Sequence, residues 1–325
     1  MLTSEICRDI IEKEILNLKL PEKPVLLYRP IEYVLSGDGK RFRPVITLLS
    51  CNLFTNDISR AIFPAISIEL FHNFTLMHDD IMDKSLIRRN RPTVNNKWNN
   101  NIALLSGDAL LIKAYEILCK IEDPVLLQKL LKIFNETALK VCEGQQLDMD
   151  FESQDYVTID EYIEMIRLKT AVLIASSIKI GAICGNADEY IAESLYEFGE
   201  NIGLAFQLQD DYLDVFGDIN VFGKKIGNDI ITNKKTFLYV SAINHSDKIL
   251  VDELREIFLK KNINDEYKIE KVVFIYNKMG LKEITEKKII EYFTKAFEIF
   301  DSLPIEDARK LTFKNYIKTL INRNK

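Results

Sequence analysis

The sequence predicts an all-α fold in a single domain spanning residues 1–325. Two observations carry this. Apolar residues recur at three- and four-residue steps from end to end, and no convincing series of alternating strands interrupts them. Gly and Pro are also few, 12 and 8 in 325 residues, with no Gly-, Pro- or Ser-rich stretch to mark a linker. A hydrophobic fraction of 47% and a charged fraction of 28% suit a globular chain with a sizeable core.

The amino terminus carries Glu5, Arg8, Asp9, Glu12, Lys13 and Glu14, which is no signal-peptide pattern. Prolines at 21, 24 and 30 then mark a broken start between Leu20 and Pro44. Ser36-Gly37-Asp38-Gly39-Lys40-Arg41-Phe42-Arg43-Pro44 places three cations just before an apolar helical run. Pro44 suits a first helical turn, and an anion can sit at such a helix start. The plain alternative is a solvated basic turn.

Residues 69–93 organise the chain. Phe63, Ile66, Leu70, Phe74, Met77 and Ile81 fall at helical steps, so the run predicts an amphipathic helix with one face in a core. Asp79 and Asp83 are then i,i+4 neighbours, with Asp80 alongside. Like charges at that spacing cost about 0.2–0.5 kcal/mol, and Asp is a poor helix former besides. Carboxylates on one side of a helix suit a hard cation, Mg²⁺ above all, which takes one or two carboxylates plus substrate phosphates. Arg88 and Arg89, just beyond, can supply the matching phosphate contacts. A solvated acidic face is the plain alternative, and it weakens because the spacing recurs. Asp210-Asp211-x-x-Asp214 lies in a second apolar run that begins at Leu204. His72, seven residues before Asp79, shares nearly its face. Glu69-x-x-His72 lacks the second Glu-x-x-His that a di-iron bundle requires.

Helical patterns continue over Ile102–Leu118 and Leu126–Val141. Glu143-Gly144-Gln145-Gln146-Leu147-Asp148 reads equally as a helix end with capping residues or as a functional stretch. Thr158 is a helix cap, after which Tyr162, Met165 and Leu168 lead to Lys169-Thr170. The second acid helix contains Gly199 and Gly203. Glycine there costs about 1 kcal/mol against Ala, which implies close backbone packing or passage of a ligand. Gly217 ends that helix. Lys224, Lys225, Lys234 and Lys235 follow in a loop, repeating the order of acids and then bases. The tail, with Arg309, Lys310, Lys314, Lys318, Arg323 and Lys325, reads as a solvated basic face.

The net charge of -6 offers no basic field for nucleic acid. Five cysteines, at 7, 51, 119, 142 and 184, are scattered and never form C-x-x-C. Buried thiols in a reducing cytoplasm are expected from that pattern. The longest apolar run, Ala171 to Cys184, is too short to span a bilayer and holds Lys179.

With these residues assembled, the sequence resembles the trans-isoprenyl diphosphate synthases, the polyprenyl synthetase family. Five blocks in the right order, from about Gly37 to Thr236, carry the likeness. The resemblance implies helices in a bundle or barrel around a deep apolar cavity, a homodimer, and three Mg²⁺ ions. It implies condensation of an allylic diphosphate with isopentenyl diphosphate. Asp79, Asp80 and Asp83 match the first metal motif, and Asp210, Asp211 and Asp214 the second. Lys40, Arg43, His72 and Arg89 match positions that hold isopentenyl diphosphate. Arg88, Lys169, Lys224 and Lys234 match those on the allylic diphosphate, with Lys225 as an alternative to Lys224. Thr170 and Gln207 match positions whose oxygens face the developing cation.

Asn90 replaces the glycine of the family's R-R-G-x-P-T, and Asn is the replacement that best tolerates a positive φ. The first acid motif lacks the two-residue insertion of bacterial farnesyl diphosphate synthases. Product length reads off the acidic helix, which rises about 5.4 Å per turn. Thr75 is small where animal farnesyl synthases carry an aromatic, so the tail passes that level. Phe74 and Phe71 then stop it, which predicts geranylgeranyl diphosphate first and farnesyl diphosphate second. Two rivals stay open: a class I terpene cyclase, which shares the first acid motif, and a non-catalytic subunit of a prenyl synthase.

Overall fold

A computed structural model describes residues 2–217, 227–260 and 262–321. It is helical almost throughout. The only strands among the described residues are the two-residue pair β1 (Ile87–Arg88) and β2 (Arg91–Pro92). The chain divides into two compact units. One holds residues 1–136, 176–196 and 303–316, the other 137–175, 197–302 and 317–325.

In the first unit α1 (Ser4–Leu16) is capped by Thr3. α2 (Val25–Leu35) starts at Pro24 and keeps Pro30 inside, so the third proline lies within a helix rather than in a broken start. α3 (Phe42–Asn52) is followed by α4 (Ser59–Met82), which buries Ala61, Ala65, Ile66, Leu70, Phe71 and Met77. Each such side chain is worth about 1.5–3 kcal/mol of burial when large and apolar. After the short α5 (Val94–Lys97), α6 (Asn100–Leu118) packs against α4, and Ser67 Oγ donates to the Ala114 carbonyl at 2.8 Å. Gly107 of α6 makes room for the His78 ring, since a Cβ there would lie 2.4 Å from Nε2. The basic tail is a solvated face at Lys318, while Arg323 and Lys325 lie outside the described residues, but its first two cations turn inward. Arg309 donates to the Asn52 carbonyl at 2.6 Å, and Lys310 is buried.

In the second unit Thr158 and Glu161 form a capping box at the start of α8 (Ile159–Ile166). α7 (Pro124–Ser153) runs straight through Glu143–Asp148, where a helix end was one of the two readings. α8 passes through a π-helical turn (Arg167–Ala171) into α9 (Val172–Cys184). α10 (Glu189–Phe216) carries the second acid motif and stops before Gly217, as expected. Its Phe198 packs on Phe300 at 5.0 Å, and its Tyr212 hydroxyl donates to Glu286 at 2.5 Å. All five cysteines are free thiols. Cys7, Cys51 and Cys184 are buried, whereas Cys119 and Cys142 are exposed. Among the described residues no helix is long and apolar enough to cross a membrane.

Candidate active site

The first acid motif closes α4. Asp79 is half-buried, Asp80 is buried, and Asp83 caps the helix in the open. The hairpin beyond returns Arg88 to these acids. Its Nε donates to Asp80 Oδ1 at 2.7 Å and its Nη2 to Asp79 Oδ2 at 3.0 Å. Arg89 and Asn90 make the reversal, with φ of 52° and 58°. Both central residues are left-handed, the geometry of a tight hairpin turn, and Asn90 meets the condition its place demands. Thr93 Oγ1 donates to the Ser85 carbonyl at 2.6 Å and ties the far strand to the helix end. Burial pushes the Asp80 carboxyl up to about 6. Arg88 opposes that rise, and Asp79 and Asp83 add to it.

The basic loop and the first turn of α3 meet this cluster. Arg43 Nη1 lies 3.1 Å from His72 Nε2. A guanidinium only donates, so Nε2 accepts and the imidazole proton sits on Nδ1. Burial holds the His72 pKa well below the ordinary imidazole range, and Arg43, Arg89, Arg88 and Arg41 push it the same way. A Cβ on Gly39 would fall 2.8 Å from Arg89 Nη1, so this glycine lets the guanidinium lie against the loop. Lys40, next in the chain, is exposed. A small cavity lined by Tyr33, Gly37, Asn73, Asp80, Arg88 and Arg89 opens here. The structure therefore brings Arg43, His72, Arg88, Arg89 and the first acids into one corner.

Arg41, one of the three cations on that turn, points inward. It is 3% exposed, with a left-handed φ of 46°. Its Nε meets Glu12 at 2.9 Å, its Nη1 meets Glu69 at 2.9 Å, and Nη2 donates to the Leu35 carbonyl. Glu69 also accepts from Asn73 Nδ2 at 3.0 Å. The signal was available: a glutamate on the apolar face of α4 needs a buried partner. The residue that fills that need is Arg41, not a metal.

Toward the amino end of α4, Thr75 Oγ1 donates to the His72 carbonyl at 2.8 Å. Phe74 packs edge-on to His78 at 4.7 Å and lies 5.6 Å from Phe71. Phe71, 1% exposed, meets Phe134 at 5.3 Å, and Phe134 meets Tyr115 at 5.1 Å. A cluster of edge-on and tilted rings thus surrounds Phe74 and Phe71.

In the second unit the same spacing gives a different set of contacts. Asp210 is exposed, Asp211 is 4% exposed, and Asp214 is half-buried. Asp211 Oδ2 accepts from the Tyr162 hydroxyl and from the Phe237 amide at 3.0 Å, and Oδ1 accepts from Gln207 Nε2 at 3.2 Å. Burial pushes Asp211 up to about 6 against these hydrogen bonds. Asp214 accepts from the Asp229 amide at 2.9 Å. Its carboxyl is raised to about 6 by burial and by Asp229 and Asp210. Lys169 Nζ reaches Asp148 Oδ2 at 2.6 Å, and Thr170 Oγ1 donates to Gln207 Oε1 at 3.0 Å. Gln207 therefore links Thr170 to Asp211. Lys234 is exposed and its charge bears on Asp211. Lys224 and Lys225 lie outside the described residues.

Among the described residues no three acid, histidine or cysteine side chains form a ready-made metal cage. The donor set still fits Mg²⁺, which keeps waters and needs only one or two carboxylates beside substrate phosphates. Carboxyls raised by burial, and further by neighbouring acids, gain from a cation that arrives with its anion.

Comparison with known proteins gives one answer. A family model described as polyprenyl synthetase matches residues 24–276. The geranylgeranyl diphosphate synthase of Methanosarcina mazei is 42% identical over 237 residues, 73% of this chain and 72% of that protein. A crystal structure of geranylgeranyl pyrophosphate synthase superposes with a TM-score of 0.94 at 40% identity, covering 100% of both chains. A polyprenyl synthase from Caulobacter crescentus, solved in complex with calcium and isoprenyl diphosphate, gives a TM-score of 0.81. It is 25% identical, covering 98% of this chain and 94% of that one.

Proposed function

The chain belongs to the polyprenyl synthetase family, and from that premise we propose a short-chain trans-prenyltransferase that makes geranylgeranyl diphosphate, with farnesyl diphosphate as the second reading. It joins an allylic diphosphate to isopentenyl diphosphate. The observation that carries the reading is the clamp of Asp79 and Asp80 on Arg88 at the end of a buried apolar helix. The similarity to the Methanosarcina mazei enzyme supports the product.

Asp79, Asp80, Asp83, Asp210, Asp211 and Asp214 are the residues that would hold Mg²⁺, three ions in this reading. When bound, the metal supplies neutralisation of the charge that grows on the leaving diphosphate. The calcium and isoprenyl diphosphate in the Caulobacter crescentus complex support divalent-metal dependence. Asp80 and Asp211, the two most buried, orient their neighbours through Arg88 and through Tyr162, Phe237 and Gln207. Arg88 gives up its carboxylates to take the allylic diphosphate, joined by Lys169, Lys224 or Lys225, and Lys234. Lys40, Arg43, His72 and Arg89 hold isopentenyl diphosphate. Thr170 and Gln207 turn oxygens toward the cation. Holding both substrates in line can supply about 7–11 kcal/mol, and apolar walls keep out the water that would quench the cation.

Residues 1–325 act as one functional domain in this reading. A homodimer belongs to it as well, supported by Leu104, Leu105 and Ile112, which leave an apolar stripe of α6 exposed at 50%, 60% and 67%. Five free cysteines support a cytoplasmic setting.

Incubation with labelled isopentenyl diphosphate, an allylic primer and Mg²⁺, followed by chromatography, tests the proposal. The expected product has twenty carbons, and Phe74→Ala together with Phe71→Ala lengthens it. A hydrocarbon formed from the allylic diphosphate alone would instead mean a terpene cyclase. No product at all would mean a non-catalytic subunit.

A further inference from the structure

The turn Arg167–Ala171 is the one π-helical segment among the described residues. Such a turn carries one residue more than an α turn, is rare, and frequently marks a functional site. Two glycines press on it from other helices. A Cβ on Gly144 of α7 would lie 2.2 Å from the Lys169 amide nitrogen and 2.7 Å from Lys169 Cα. A Cβ on Gly203 of α10 would lie 2.5 Å from Ala171 Cα and 2.7 Å from its Cβ. The obstructing atoms are backbone or lie next to it, so no side chain can swing aside. The whole turn would have to move.

The register of these glycines gives them a purpose. Gly144 is four residues before Asp148, which receives Lys169, and Gly203 is four residues before Gln207, which receives Thr170. Each flanking helix thus offers a notch and, one turn further on, an acceptor on the same face. Lys169 and Thr170 are adjacent in sequence, yet the notched seat sends them to two different helices. Through Gln207 the placement extends to Asp211.

We propose that Gly144 and Gly203 are positioning residues of the reaction, a pair of backbone notches that seat the π turn and so aim Lys169 at the allylic diphosphate and Thr170 at the cation. The inference rests on the prenyltransferase reading and adds to it two residues without side chains. Glycines that merely tightened helix packing would predict something else: substitution would cut the active fraction and leave the Michaelis constants where they were.

The test compares wild type with Gly144→Ala and Gly203→Ala in the full chain. It measures KM for geranyl diphosphate, KM for isopentenyl diphosphate and kcat, together with calorimetric binding of a farnesyl thiolodiphosphate in Mg²⁺. The allylic KM and the thiolodiphosphate Kd should rise about tenfold, with kcat down about a hundredfold, as a misplacement of order 1 Å produces. KM for isopentenyl diphosphate should stay within about twofold. If a glycine variant does not fold, Asp148→Asn keeps both notches and loosens Lys169, and it should raise the allylic KM alone. Unchanged allylic constants in folded glycine variants, or in Asp148→Asn, would overturn the inference. An inactive wild type would sink the prenyltransferase reading itself, which keeps the two failures apart.

Discussion

The two acid motifs share one spacing and each hides its middle aspartate, while the outer pair is half-buried then open in the first and open then half-buried in the second; the groups that answer the hidden aspartate differ as well. Asp80 is met by a cation, Arg88, delivered by a hairpin. Asp211 is met by neutral donors, the Tyr162 hydroxyl, the Phe237 amide and the Gln207 side chain. An ion pair can be exchanged when a competing anion or cation arrives, because both partners keep a charge to offer. Neutral donors on a buried carboxylate form a fixed bracket, and removing one end strands the others. The first region is therefore built to rearrange on binding, and the second to stay in place.

The largest expected effect falls on the aspartates that leave the fold alone. Asp79→Ala and Asp210→Ala should each fold normally and lose about a thousandfold in turnover, the scale of a lost electrostatic contact in the transition state. Near-wild-type turnover of either variant in saturating Mg²⁺ would break the pairing of the two motifs. Next comes stability. Asp211→Ala should unfold in urea well before Asp210→Ala, since it leaves the Tyr162 hydroxyl and the Phe237 amide without their acceptor, at about 1–3 kcal/mol each. Equal midpoints would show that the bracket is not one.

Arg41 sharpens the contrast from the first side. Arg41→Ala leaves Glu69 buried and uncompensated, and should cost about 3–5 kcal/mol without touching any diphosphate directly. A loss confined to the KM for isopentenyl diphosphate, with stability intact, would instead make Arg41 a phosphate ligand.

The helices and both acid motifs were legible in the sequence because local spacing decides them. A hydrophobic period needs only neighbours three and four residues away, whereas the positive φ of Asn90 was legible only through the family glycine it replaces. Arg41 was not legible, because its partners lie 29 and 28 residues off and only tertiary packing chooses between a solvated and a buried guanidinium. Arg309 was missed in the same way, since it finds its acceptor at Asn52. The stretch Glu143–Asp148 could not be resolved from composition. A glycine among polar residues looks like a helix end, and only the π turn pressed against Gly144 explains why a glycine stands inside the helix. The π turn itself has no local signature.

The smallest expected effect concerns pH. His72 is held neutral by burial and by the arginines around it. Below about 6.5, the unfolded chain gains a proton that the folded chain refuses, so stability falls as pH drops through that window and levels off above it. Asp80, Asp211 and Asp214, raised to about 6, act in the opposite sense and lower stability as pH rises from their ordinary range toward 6. The difference between wild type and His72→Gln isolates the histidine. The wild-type Tm should decline more steeply than the variant's between about pH 7 and pH 5. Parallel declines would mean that His72 titrates in the fold as it does in the open chain.

The central claim is that a diphosphate completes the metal site, and it is tested by thermal unfolding in four conditions: buffer, Mg²⁺ alone, inorganic pyrophosphate alone, and both. Neither addition alone should move the Tm by more than a small amount, whereas both together should raise it by several degrees, with the gain lost in Asp79→Ala and in Asp210→Ala. A full shift with Mg²⁺ alone, or none with the pair, would contradict the account.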